Sequence, residues 1–360
     1  MSDKSVSAPL DAEAAAKAAF ASVADQEFPS DIFNAPQLNW AVVGCGVIAN
    51  QMAESLALAG RHLVGVQNRT RAKADAFAAA HGVPRVYDTF AELCADADVD
   101  AVYVTTPHNT HIRYLREALA AGKHVLCEKS ITLNSAELDE ARELARANDV
   151  VLMDATTILH MPLYKQLLSR AKAGELGRMN MAQVNFGSFK PYDPKTRFYN
   201  RELAGGAVLD IGVYALSIMR LFMESAPTEV VSLGNTCETG VDVAGGAVCR
   251  NAEGQIGVIS LTLHSKQPKR AVISFDECYL EVEQYPRADA ARIVWTADGH
   301  VEEVSAGTEA YALCYEMADL ERAVAGDAEA ARLIGYAADV MRVMDKLRAD
   351  WGVVYPEEEK

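Results

Sequence analysis

The sequence predicts an α/β protein: a doubly wound parallel sheet over 38–155, then an α+β domain on a mainly antiparallel, open sheet over 156–360. An N-terminal extension, 1–37, precedes both. Three observations carry this reading. Short apolar strands alternate with amphipathic helices from Leu38 onward, the rhythm of a parallel sheet covered on both faces. After about residue 156 the strands run consecutively with turn signals between them, which antiparallel pairing allows. Finally, 360 residues, half of them hydrophobic and 23 % charged, suffice for two domains with their own cores.

Taken in order, residues 1–37 read as an alanine-rich helix and a Pro-punctuated link. "LNWAVVG" is a strand, "NQMAESLAL" an amphipathic helix and "RHLVGVQN" a second strand. "TRAKADAFAAAHG" is a helix stopped by Gly82, and "VDAVYVTTP" a strand ended by Pro107. "THIRYLREALAAG" is closed by Gly122; "KHVLCEK" is a strand; "NSAELDEARELARAND" is a helix capped by Asn134 or Ser135; "VVLMDAT" is the last strand of this part. The second part opens with the helix "LHMPLYKQLLSRAKAGELG" and the long strand "RMNMAQVNFGSF", followed by the apolar helix "GGAVLDIGVYALSIMRLF". Four strand runs follow, "EVVSLGNTCE", "GGAVCRNAEGQIGVISLTLHS", "KRAVISFDECYLEVEQ" and "ARIVWTADGHVEEVS", with "NAEG" and "ADGH" as hairpin turns. Two helices finish the chain.

A net charge of −16 repels nucleic acid and anionic membrane, so neither is an expected partner. Seven scattered cysteines without a C-x-x-C pair fit reduced, buried thiols. With an acidic N-terminus and no continuous apolar run of membrane-spanning length, the expected location is cytoplasmic. His108 and His111 lie three apart with no cysteine or carboxylate cluster beside them, so no metal is expected.

"AVVGCGVIA" places Gly44-x-Gly46-x-x-Ala49 directly after the first strand and at the start of the next helix. Gly44 permits the tight turn, Gly46 lets the backbone approach a pyrophosphate, and Ala49 allows close helix–strand packing. The free N–H groups at Gly46, Val47 and Ile48 face the phosphates. The context is that of a Rossmann dinucleotide site. The second strand ends "VQNRTR", with Asn68, Arg69 and Arg71 and no carboxylate for a ribose 2′-hydroxyl. Guanidinium groups suit a 2′-phosphate, which favours NADP(H), with NAD(H) possible.

Ligands of such sheets bind outside the carboxyl ends of the strands. Thr106, Pro107, His108, Asn109, Glu128 and Lys129 fall at those ends. Lys129 can hydrogen-bond a substrate hydroxyl and stabilise an alkoxide. In the apolar helix, Asp210, Tyr214 and Ser217 are spaced i, i+4, i+7 and stack on one face. From the helix alone, that stripe reads either as a satisfied core hydrogen bond or as the wall of a reaction cavity.

Together "VGCGVIA", "TTPHNTH", "CEKS", "AGELGRMNMAQVNFG" and "RFYNRELAGGAVLDIGVYAL" resemble the glucose–fructose oxidoreductase / inositol dehydrogenase (Gfo/Idh/MocA) family, over about residues 38 to 355. The Tyr-bearing "LDIGVY" is similar to its dimeric dihydrodiol dehydrogenase, NADP-linked xylose dehydrogenase and glucose–fructose oxidoreductase branch. The resemblance implies that Lys129 is the lysine of an E-K-P motif, that Asp210 helps place a sugar, and that Tyr214 is acid/base. It also implies a homodimer or homotetramer built through the C-terminal sheet. One departure is Ser130 where the family has proline, which leaves the backbone beside Lys129 freer. Tyr192 and Arg197, in the loop before the site helix, are candidate substrate residues.

The expected activity is therefore NAD(P)-dependent hydride transfer at a hydroxyl or carbonyl carbon of a sugar or cyclic polyol, with Lys129, Tyr214 and Asp210 catalytic. The alternatives are a trans-dihydrodiol dehydrogenase or a keto-sugar or glycoside reductase, and a non-catalytic dinucleotide-binding regulator. A regulator would keep Gly44 and Gly46 without needing the lysine, acid and phenol.

Overall fold

The computed structural model describes residues 18, 20–23 and 26–359; most of the alanine-rich helix expected near the N-terminus lies outside the described residues. The first sheet consists of β1 (Trp40–Val43), β2 (Gly65–Gln67), β3 (Arg85–Tyr87), β4 (Ala101–Val104), β5 (His124–Cys127) and β6 (Leu152–Asp154). Its order is β3-β2-β1-β4-β5-β6, with every pairing parallel. The order reverses between β1 and β4, so the chain leaves these two strands in opposite directions and a crevice opens at their carboxyl ends.

Helices α1 (Val47–Leu58), α2 (Arg71–His81), α3 (Phe90–Ala95), α4 (His111–Ala120) and α5 (Ser135–Ala147) cover the sheet. Their ends follow local chemistry. Gly82 takes φ +67° to close α2, and the Asn134 side chain accepts from Glu137 N at 3.0 Å to open α5. β1, β4 and most of β5 are wholly buried, as a sheet sandwiched between helix layers requires.

The second domain begins with α6 (Pro162–Lys172) and β7 (Met179–Gly187), followed by α7 (Val213–Phe222). Its sheet continues with β8 (Pro227–Thr236), β9 (Asp242–Asn251), β10 (Ile256–Thr262), β11 (Arg270–Phe275), β12 (Cys278–Glu283), β13 (Ala290–Trp295) and β14 (Val301–Ser305). The order is β14-β13-β12-β11-β7-β10-β9-β8. Only β7 and β10 run parallel, and the other pairs are antiparallel. "KRAVISFDECYLEVEQ", read as one strand run, is a hairpin turning at Asp276–Glu277. α8 (Ala312–Val324), α9 (Ala328–Ala331) and α10 (Leu333–Trp351) complete the fold.

One face of this sheet packs on α7. Gly257 makes the close approach possible, since a Cβ there would meet Met219 Sδ at 2.1 Å. By length and hydropathy alone the stretch Arg201–Phe222 could cross a membrane, yet 83 % of its apolar window is buried inside the fold. The described part of the extension also packs on the body: Val23 and Ile32 are buried, and Phe28 meets Tyr311 edge-on at 5.0 Å.

Candidate active site

The glycine turn lies at the carboxyl end of β1. Gly44 has φ +99°, and a Cβ there would meet Thr105 Oγ1 at 2.6 Å, so only glycine fits. Gly46 caps α1 with no side-chain hydrogen bond and no acid in the first turn, and the space where its Cβ would lie is open. Exposed Val47 follows, while Ala49 is buried against the sheet. Unpartnered N–H groups at the start of a twelve-residue helix form a cradle for a pyrophosphate. The residues present therefore fit a dinucleotide.

At the end of β2, Asn68 Nδ2 donates to Thr70 O at 3.0 Å, and Arg69 is exposed. Arg71 is taken up by Asp75 at 2.8 Å and by Asp88. A cation missed in the sequence is Lys73, in the first turn of α2. Burial raises the Cys45 thiol to about 11, and the Lys73 ammonium acts in the opposite sense. The Lys73 charge therefore acts on Cys45, the middle residue of the glycine turn. The signal was available: Lys73 falls four residues after Arg69, in the same basic stretch "NRTRAK".

Lys129 lies two residues past the end of β5, beside the crevice. Its Nζ donates to Asp210 O at 2.8 Å and lies 3.4 Å from Asp210 Oδ1. Asp210 Oδ1 also accepts from Arg197 Nη1 at 3.0 Å. The Tyr214 ring centroid is 4.8 Å from Lys129 Nζ. Of the two substrate candidates, Arg197 thus joins the cluster, whereas Tyr192 stacks edge-on against Tyr199 at 5.0 Å and is largely exposed.

The stripe's spacing crosses two kinds of helix. Residues Val208–Gly212 form a π turn, and the α-helix starts only at Val213. The wider turn leaves the Asp210 carbonyl free to receive Lys129, a use such bulges often serve at functional sites. The turn is anchored from β9, where Asp242 Oδ2 accepts from Val208 N at 2.6 Å.

Ser130 does not leave the loop loose. The Lys129–Ser130 peptide is cis, and Ser130 is fully buried. Its Oγ donates to Leu209 O at 2.9 Å, and its carbonyl lies 3.0 Å from His111 Nδ1. The hydroxyl ties the lysine loop to the site helix, a bond proline would lack.

Electrostatics fix the resting state. Burial pushes Asp210 up, but Lys129, Arg197 and His108 outweigh it and hold the carboxyl well below its usual range. Burial pulls Lys129 down, yet Tyr214 and Asp210 leave it raised. Burial raises Tyr214, against Lys129. His108 is driven down to about 3, by burial first and then by Lys129 and His111. Near neutral pH the cluster holds an ammonium, a carboxylate, a protonated phenol and a neutral imidazole.

The other predicted residues frame this cluster. Glu128 accepts from Tyr103 Oη and, at 3.3 Å, from Lys129 N. Thr106 Oγ1 accepts from Thr110 Oγ1 at 2.8 Å, beside the exposed Pro107. Asn109 is turned to the second domain, donating to Glu202 O at 3.1 Å and Glu357 Oε1 at 2.7 Å.

Comparison with known proteins identifies the lineage. The family model described as "Oxidoreductase family, NAD-binding Rossmann fold" matches residues 38–156, and the GFO/IDH/MocA C-terminal domain model matches 164–281. The chain belongs to the Gfo/Idh/MocA oxidoreductase family. A mouse trans-1,2-dihydrobenzene-1,2-diol dehydrogenase is 31 % identical over 241 residues, covering 66 % of this chain and 72 % of that protein. The zebrafish protein of the same name is 28 % identical over 334 residues, 89 % of this chain and 99 % of its own. Among solved structures, the NADP and TDP-benzene complex of KijD10, a 3-ketoreductase from Actinomadura kijaniata, shares the fold at TM-score 0.76 and 23 % identity, covering 87 % of this chain and 98 % of its own. An aldose-aldose oxidoreductase from Caulobacter crescentus shares it at TM-score 0.77 and 22 % identity, covering 86 % and 96 %. Family membership makes this protein an oxidoreductase that uses a nicotinamide dinucleotide.

Proposed function

We propose that the enzyme interconverts a hydroxyl and a carbonyl on a sugar, cyclic polyol or related vicinal diol, using NADP(H), with Tyr214 as the proton-transferring residue. The observation that carries this is the convergence of Lys129, Asp210 and Tyr214 beside the glycine-turn crevice. A dinucleotide held at Gly44, Gly46 and the start of α1 supplies or accepts the hydride.

Lys129 is engaged by Asp210 and keeps its charge, so it acts as a fixed cation beside the reacting oxygen. Tyr214 carries a proton at rest. In the reductive direction its hydroxyl protonates the oxygen as charge develops there, and the nearby ammonium stabilises the phenolate left behind. Oxidation runs the same transfer in reverse. Asp210 neutralises Lys129 and fixes its aim, while Arg197 borders the opening. The 2′-phosphate of NADP(H) falls to Arg69 and Lys73.

The dihydrodiol dehydrogenase reading is favoured by the named relatives and uses the same proton transfer. The exposed apolar half of the second sheet supports a homo-oligomer, and seven free cysteines support a cytoplasmic setting.

The test is a pair of variants. Lys129→Met and Tyr214→Phe should each bind NADPH with near wild-type affinity, by fluorescence titration, and lose at least about 100-fold in kcat. Wild-type turnover in both would remove the assigned roles.

A further inference from the structure

Two runs of cations and aromatic rings lead away from Lys129 on the second-domain side of the cleft. From the Lys129 ammonium one passes to the Tyr214 ring, and from there to Phe186, whose centroid is 6.0 Å away. Lys269 Nζ lies 5.0 Å from the centroid of Phe186. Burial pulls the Lys269 ammonium down; Glu309 favours its charge, and Lys190, Arg287 and Lys266 oppose it. In the other run, Lys190 Nζ is 4.6 Å from the Phe198 ring, and the Arg197 guanidinium carbon is 4.2 Å from that same ring. Arg197 is bridged to Asp210, and Asp210 to Lys129.

Asp210 is the carboxylate in contact with these cations, and it is already bridged to Lys129 and Arg197. Among the described residues, Lys190, Lys266, Lys269 and Arg287 form no side-chain hydrogen bond or salt bridge. Half-buried Lys190 and Lys269 without a bonded carboxylate are unfavourable, and they lie in a protein whose net charge is −16. The dinucleotide's phosphates do not account for them. Its cradle is the start of α1 in the first domain, whereas Lys190 and Lys269 come from the loops after β7 and before β11 in the second.

We propose that the substrate carries an oxyanionic group, a phosphate ester or a carboxylate, which Lys190 and Lys269 bind while its carbon skeleton reaches Tyr214. The inference rests on the oxidoreductase reading and narrows its substrate class. Two ammonium groups meet the oxyanion as point charges, and the buried Phe186 ring packs beneath Lys269 and beside Tyr214, linking the two in one wall.

The test reads binding apart from turnover. Calorimetry of the protein saturated with NADP⁺ compares three matched pairs: glucose and glucose 6-phosphate, inositol and inositol 1-phosphate, glucose and gluconate. At least one anionic member should bind about tenfold more tightly than its neutral partner, with the preference shrinking as salt rises from about 50 mM to about 500 mM. The Lys190→Gln/Lys269→Gln double variant should lose most of that preference. Its NADPH affinity checks that it folds, and Lys269→Arg, which keeps the charge, should retain the preference. No preference in any pair, or an undiminished preference in the double variant, overturns the proposal. Turnover of neutral diols without an anion preference would leave the oxidoreductase reading standing alone. Tight anion binding lost in the double variant, with no substrate turned over, would do the reverse.

Discussion

At the residue scale, Lys129 would pass for a surface lysine in the sequence; its partners make it something else. Its ammonium is held by Asp210 at two atoms, and the ring of the phenol it supports is centred 4.8 Å away. Residue types and spacing made Lys129, Asp210 and Tyr214 legible together. Arg197 was visible only as a loop cation, because nothing local says that a loop thirteen residues upstream folds back onto Asp210. At the cofactor end the sequence offered two arginines, and the structure divides them. Arg71 is already paired with Asp75 and Asp88, while Arg69 and Lys73 are not. Lys73→Ala and Arg69→Ala should each raise the Kd for NADPH about tenfold and change that for NADH far less. Arg71→Ala should have the smaller effect on NADPH. Parallel fluorescence titrations with the two cofactors check this, and equal losses for NADPH and NADH would make these cations structural.

At the element scale, the strands, the α-helices and most of their ends could be read from apolar rhythm and from glycine, proline and asparagine. Two features could not. The hairpin at Asp276–Glu277 has no glycine or proline, and its only mark is a doubled charge that moves the buried positions from odd to even numbers. The π turn at 208–212 has no residue signature, since it exists because Asp242 and Lys129 claim backbone groups of the same turn from distant strands. Asp242 makes the anchor testable. Burial raises its carboxyl to about 6, against backbone bonds from Val208 and Ala207. A folded value above the unfolded one near 3.9 means the native state binds the extra proton. The associated stability is therefore present at pH 4 and lost as pH rises through about 6. Asp242→Asn keeps an oxygen for Val208 N and cannot titrate. The melting temperature of wild type relative to this variant should be higher at pH 5 than at pH 7. A pH-independent difference would show that Asp242 is not the titrating anchor.

At the scale of the whole molecule, the two-domain plan followed from the change of rhythm near residue 156, but what covers the open sheet face did not. Alternation decides which side chains lie there. In β8, Ser232 bonds Asp350, and Gly234 lies against Trp351, so these residues face α10. Val231 and Leu233 must then point away, and they are 74 % and 84 % exposed. Val231 pairs with Val248, which pairs with Val258, so the apolar row continues inward across three strands. Beyond β11 the same face becomes a charged ladder, with Glu281 bridged to Arg270 and Arg292. An apolar half beside a charged half suits a two-fold partner that sets like against like. The wild type should therefore run at twice its 38.9 kDa chain mass in light scattering at micromolar concentration. Val231→Lys/Leu233→Lys should reduce it to a single chain. Because both side chains are exposed, the monomer's own fold loses little, within about 0.5 kcal/mol per site, so a large loss of secondary structure would point to a packing role instead. A wild type that is monomeric throughout would leave this face without its proposed partner.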